Sequence, residues 1–211
     1  MVDNSHRLPP ELIRLLAQQS GVRRFGPDER IIEEGEFSDT LYILISGQLK
    51  VFTHGPKDRE LVYNVLEPGE IFGEMFLDGE PRSASVKATI DSECLIIAGN
   101  RIRELMRAHP DFAEYLMMKL ISRVRQATKT IRSLAMDGVY VRTVAFLDEM
   151  AITEDGSRRI PASVTQAEIA GRIGATREMV NHVIRDLTRG GFISREGRRQ
   201  MVILKKLPSR W

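Results

Sequence analysis

The chain is poor in the residues that carry most redox, metal and enzyme chemistry. Among its 211 residues there is one cysteine, Cys94. A lone cysteine excludes an intrachain disulfide and cannot by itself hold an iron–sulfur cluster or a structural zinc. The four histidines, His6, His54, His109 and His182, stand singly, which excludes the clustered imidazoles of a metal-dependent barrel enzyme. His54 lies beside Gly55-Pro56, a turn signal, and does not suit a haem ligand. Neither paired carboxylates nor a serine–histidine–acid arrangement stands out, so no catalytic residue and no metal is expected. The longest uncharged apolar runs, residues 41–45 and 94–98, are far too short to span a bilayer. The polar start Met1-Val-Asp-Asn-Ser-His-Arg lacks the apolar core of a secretory signal, and the expected compartment is the cytoplasm.

What is present suits a folded, water-soluble chain: 42% hydrophobic and 28% charged residues. The formal net charge of +2 hides an asymmetry. Residues 138–211 carry 13 Lys and Arg against 8 Asp and Glu, a net of +5, whereas residues 1–137 carry 18 against 21, a net of −3. A basic C-terminal third behind an acidic front predicts a polyanion partner for one part of the chain only.

Residues 8–20 read as a short helix begun by prolines and ended at Gly21. From Val22 to Ala98 the pattern changes to short β-branched and aromatic runs such as Leu41-Tyr-Ile-Leu-Ile, Gln48-Leu-Lys-Val-Phe-Thr and Cys94-Leu-Ile-Ile. Turn residues separate them every eight to twelve positions, which predicts an antiparallel barrel or jelly roll. After Pro110 the pattern is helical to about Met136. Met117, Leu120, Val124, Ala127, Ile131 and Leu134 follow one another at spacings of 3, 4, 3, 4 and 3. So narrow a seam on a polar helix predicts pairing with a second copy in a parallel coiled coil; packing against the chain's own barrel is the alternative. Asp137-Gly138 reads as a hinge before a new helix at residues 139–150.

Residues 165–187 are the most informative stretch. Thr165 caps a first helix with Glu168 three residues on. Ala170 is small where a second helix crosses, Gly174 supplies a left-handed turn, and Thr176 caps the second helix. Val180, Ile184 and Leu187 then face a core. Gly190-Gly191 ends this helix, and residues 192–195 with residues 200–204 read as a two-stranded wing. On a winged helix-turn-helix, the outward face of the second helix displays Arg177, Glu178, Asn181 and His182. Such side chains suit hydrogen bonds to base edges in the major groove of double-stranded DNA. Thr165, Gln166 and Thr176 suit contacts to backbone phosphates.

The run Pro68-Gly-Glu-Ile-Phe-Gly-Glu-Met-Phe-Leu-Asp-Gly-Glu-Pro-Arg-Ser-Ala-Ser also makes chemical sense unaided. Gly73 lets backbone approach an anion, Arg82 offers a charged fork, Ser83 a hydroxyl, and Glu74 an acceptor for a ribose hydroxyl. A bare Arg82–Glu74 salt bridge is the alternative. This run resembles the phosphate-binding cassette of the cyclic-AMP receptor and fumarate–nitrate regulator (Crp/Fnr) family, and Thr176-Arg-Glu-Met-Val is similar to the start of that family's recognition helix. The resemblance covers nearly the whole chain. It implies an α+β fold: a cyclic-nucleotide-binding β-barrel sensor over residues 1–110, a dimerisation helix and hinge over 111–137, and the winged helix-turn-helix over 138–211. It implies an effector such as cAMP or cGMP held by Gly73, Glu74, Met75, Arg82 and Ser83, with Thr128 from the long helix. It further implies a homodimer on an inverted-repeat operator, and RNA polymerase meeting the loop at residues 153–159. The chain departs from the family in three places. Glu74 and Arg82 are eight residues apart, closer than in the cyclic-AMP receptor itself. Phe76 replaces a small residue, and Ala127 with Thr128 leaves one of two base-reading hydroxyls missing. A regulator with another effector or none, and a nucleotide-binding subunit acting on a protein partner, remain open.

Overall fold

The computed structural model describes residues 14, 16, 20–56, 59–154, 156–196 and 200–208. They form two compact units that part between Arg125 and Gln126. The helix read at residues 8–20 lies almost wholly outside the described residues, as does Arg199.

In the first unit eight strands form two antiparallel sheets: β1 (Gly21–Phe25), β2 (Arg30–Ile32), β3 (Thr40–Ser46), β4 (Leu49–Gly55), β5 (Arg59–Leu66), β6 (Ile71–Phe72), β7 (Ser85–Ala88) and β8 (Ser92–Ala98). One sheet has the order β1-β8-β3-β6, the other β2-β7-β4-β5. The middles of strands β3 and β8, residues 41–45 and 94–97, are apolar because both faces are largely covered there. Leu44 and Cys94 join Leu49, Leu66, Phe72 and Val86 between the sheets. Leu41, Ile43, Leu95 and Ile97 face the other way, onto Ile102, Phe112 and Leu116. Those three residues come from two helices, α1 (Gly99–Ala108) and α2 (Pro110–Met136). Burial pushes the Cys94 thiol up to about 12, so it packs as a hydrophobe and is inert.

Helix α2 turns Phe112, Leu116 and Lys119 inward. The predicted seam is a different face. Met117, Leu120, Val124, Ala127, Ile131 and Leu134 are all exposed, Val124 by 65% and Ile131 by 66%. The seam is therefore not core of its own chain.

The second unit contains α3 (Val139–Met150), α4 (Gln166–Ile173), α5 (Arg177–Arg189) and four short strands: β9 (Ile152–Glu154), β10 (Ser157–Ile160), β11 (Ile193–Glu196) and β12 (Gln200–Ile203). The sheet order is β11-β12-β10-β9, which corrects the sequence reading in one respect. The predicted two-stranded wing is β11 paired with β12, whereas residues 153–159, expected as a loop, contribute to the β9–β10 hairpin, which extends the same sheet, with Arg158, Arg159 and Ile160 opposite Ile203, Val202 and Met201. Its strands are polar because little of the hairpin is buried, so the sequence shows no alternation there. Among the described residues, no helix is long and apolar enough to cross a membrane.

Candidate functional site

The cassette hangs on the turn after β6. Gly73 has φ 77 and caps a 3-10 helix at Glu74–Asp78. A Cβ at Gly73 would lie 3.0 Å from Arg82 Nη1 and 3.1 Å from the Thr40 carbonyl, so glycine answers both the conformation and the crowding. Arg82 is buried at 5% exposure and spends its fork on the protein. Nη1 donates to the Gly73 carbonyl at 2.5 Å, and Nη2 to the Thr40 carbonyl at 2.6 Å and Ser38 Oγ at 3.0 Å. Burial lowers the guanidinium's affinity for its proton, opposed by Tyr42, Glu74 and Asp39.

Glu74, 3% exposed, pairs with Arg123 of α2 and not with Arg82. Arg123 Nη2 also donates to the Ile71 carbonyl at 2.7 Å. One turn earlier, Lys119 Nζ reaches Glu70 Oε1 at 2.5 Å. Two acids four residues apart on the cassette thus meet two bases four residues apart on the helix. That matching spacing is the signal in the sequence for Arg123, which is not among the effector-binding residues expected from the sequence. Ser38 and Thr40 carried no such signal. Two deeply buried atoms, Glu74 Oε2 and Arg82 Nε, have no hydrogen-bond partner among the described residues. Ser83 Oγ donates to Met75 Sδ at 3.0 Å at the rim, where Met75 is exposed. Thr128 is exposed on α2, beyond the division at Arg125.

Phe76 faces the core behind the cassette, among Leu41, Ile71 and Ile97. Gly99 makes room for it. A Cβ there would stand 2.6 Å from Phe76 Cε2 and 2.5 Å from the Asp39 carbonyl. Gly99→Ala is expected to destabilise the protein by about 1–3 kcal/mol through overpacking. A thermal melt checks this, and an unchanged Tm would show that ring and loop yield freely.

In the second unit, Thr165 Oγ1 accepts from Glu168 N and Thr176 Oγ1 from Met179 N, each at 3.2 Å. Both expected caps are therefore made, and each hydroxyl keeps its own proton to donate. Gly174 ends α4 at φ 63. Ala170, Val180, Ile184 and Leu187 are buried. Arg177, Glu178, Asn181 and His182 are exposed at the start of α5. Gln166 Nε2 donates to Asn181 Oδ1 at 3.2 Å, which ties the two helices on this face.

Two family models match these two regions. The cyclic nucleotide-binding domain matches residues 22–109, and the Crp-like helix-turn-helix domain residues 141–208. The chain belongs to the Crp/Fnr family of transcription regulators. A CRP-like cAMP-activated global transcriptional regulator of Mycobacterium tuberculosis is 29% identical over 198 residues, 92% of this chain and 88% of that protein. The cAMP-activated global transcriptional regulator Vfr of Pseudomonas aeruginosa is 28% identical over 190 residues, 85% and 88% of the two chains. Among solved structures, the c-di-GMP responsive global regulator CLP of Xanthomonas campestris is similar with a TM-score of 0.82 at 25% identity, over 92% of this chain and 98% of that one. Phe76 of this Crp/Fnr chain lies in its core.

Proposed function

We propose that the chain is a homodimeric, sequence-specific DNA-binding transcription regulator, controlled by a small anionic effector in the N-terminal barrel. Residues 1–110 serve as sensor, 111–137 as dimerisation helix and hinge, and 138–211 as the DNA-binding part. The pair of orphan atoms in the cassette carries the effector reading. A buried acceptor on Glu74 and a buried donor on Arg82 each cost about 1–3 kcal/mol when unmet. A ligand bearing a hydroxyl beside an anionic oxygen would satisfy both, and a ribose fused to a cyclic phosphate has that chemistry. Gly73, Met75 and Ser83 would line its rim, with Thr128 from the long helix.

The similar regulators differ in the effector their names give, cAMP for some and c-di-GMP for one. Melting with cAMP, cGMP and c-di-GMP in turn therefore tests the class. At 100 times its Kd the true effector adds about 2.7 kcal/mol. No shift with any of the three would sink the cyclic-nucleotide reading. The cytoplasm is the compartment, and RNA polymerase the further partner, that go with this function. No catalysis is part of it.

On DNA, Arg177 and Glu178 occupy the first two positions of α5 and reach base edges, Arg177 with a two-pronged donor suited to guanine. Asn181 and His182 follow one turn later, while Thr165, Gln166 and Thr176 hold phosphates. The dimer brings two such helices to inverted half-sites about one helical turn apart. Selection of sites from random DNA by wild type and Arg177→Ala should show preference relaxed at one base pair per half-site, by roughly 1–3 kcal/mol. Identical preferred bases from both proteins would show that Arg177 does not read sequence.

A further inference from the structure

His182 sits between two charged neighbours placed three and four residues further along α5, on its own face of the helix. Its Nδ1 is 2.6 Å from Arg185 Nη2, and its Nε2 is 3.3 Å from Asp186 Oδ2. These neighbours have opposite and fixed hydrogen-bonding roles. A guanidinium only donates, so Nδ1 must accept. An ionised carboxylate only accepts, so Nε2 must donate. Both therefore place the single proton of the neutral imidazole on Nε2. A histidine without such neighbours can exchange its proton between the two nitrogens and offer either a donor or a lone pair.

Building on the DNA-binding reading above, we propose that Arg185 is a positioning residue that locks His182 as an Nε2–H donor. The base pair His182 meets is then chosen for an acceptor edge. Guanine, with O6 and N7 together, fits that edge best. The amino groups of cytosine N4 and adenine N6 offer only donors to it. Asp186 holds the Nε2–H in the free protein, and its 3.3 Å separation makes that a weak bond for a base to displace.

The lock is read first without DNA, on full-length protein labelled with 15N-histidine in mildly alkaline buffer, where imidazoles are neutral. The His182 signals are identified by their loss in His182→Gln. Wild type should show one tautomer, protonated at Nε2. Arg185→Lys keeps a pure donor beside Nδ1 and should keep that tautomer. Arg185→Glu places an acceptor there and, with Asp186 still accepting at Nε2, should leave a mixture in which part of the population carries the proton on Nδ1.

Selection of binding sites with the same proteins gives the second reading. Wild type and Arg185→Lys should favour guanine over cytosine at the position His182 reads, by roughly tenfold. Arg185→Glu should weaken binding at all sites and shift that position toward a base with an exposed amino group. A mixed or Nδ1-protonated His182 in wild type overturns the lock. So does an Arg185→Glu variant whose tautomer and base preference match wild type. His182→Ala separates the two levels of failure. If it changes one base preference while Arg185→Glu changes none, only the lock fails. If it recovers the wild-type bases everywhere, His182 is not a reader and the lock has no role in base choice.

Discussion

Replacing both Val124 and Ile131 by Asp is expected to convert the protein from dimer to monomer. Both side chains are about two-thirds exposed on α2, and both belong to a seam whose members point away from the chain's own core. An exposed aliphatic stripe with 3–4 spacing is what a parallel partner helix covers. Burying one Val or Ile side chain stabilises by about 1.5–3 kcal/mol, so the four removed from a dimer take away roughly 6–12 kcal/mol. At 1.4 kcal/mol per factor of ten, even the lower figure weakens association more than a thousandfold. Four carboxylates facing one another across the seam add repulsion. Sedimentation should therefore report a species near the 23.9 kDa chain mass instead of twice that. Operator binding should fall with it, because one recognition helix alone loses the second half-site and its effective concentration. A dimer that survives the double substitution would mean that some other face holds the copies together.

The sequence showed this seam, and the helix-turn-helix, because both are local patterns. Heptad spacing, a threonine before each helix, and Gly174 between them are each readable within a few residues. What could not be read was long-range pairing. Arg82 stood out as a cationic fork in the cassette, but its partners are carbonyls of Thr40 and Gly73, brought to it by the packing of β3 against β6. Arg123 carries no local signal of its partner, because Glu74 lies 49 residues earlier in the chain. Helix α1 was passed over because it starts without a capping side chain and buries only Gly99 and Ile102. The β9–β10 hairpin was read as a loop because its residues are polar and its alternation is weak. Local signals thus located the elements and the candidate residues, whereas the hydrogen-bond partners that decide what those residues do came only from tertiary structure.

Arg82→Leu is expected to have two separable effects, on stability and on effector binding. The side chain makes three hydrogen bonds from a buried charge. Bonds to charged groups contribute about 1.5–3 kcal/mol each, offset by the desolvation of the guanidinium itself. A net loss of roughly 3 kcal/mol, or a Tm lower by about 6–12 °C, follows for a chain of this size. If Arg82 were only a brace between β3 and the cassette turn, the effects would end there, and the folded variant would bind its effector as wild type does. The unpartnered Arg82 Nε argues otherwise, since a buried donor left open inside the cassette is the group an anionic oxygen would meet. Calorimetry below the variant's melting range should therefore show affinity for the best nucleotide reduced at least tenfold, beyond anything the lower Tm accounts for. Arg82→Lys separates charge from geometry. It keeps the positive charge but lacks both the fork and the Nε–H, so it should restore part of the stability and little of the affinity. Wild-type affinity in folded Arg82→Leu would assign Arg82 to the scaffold alone and leave the anion to be held elsewhere.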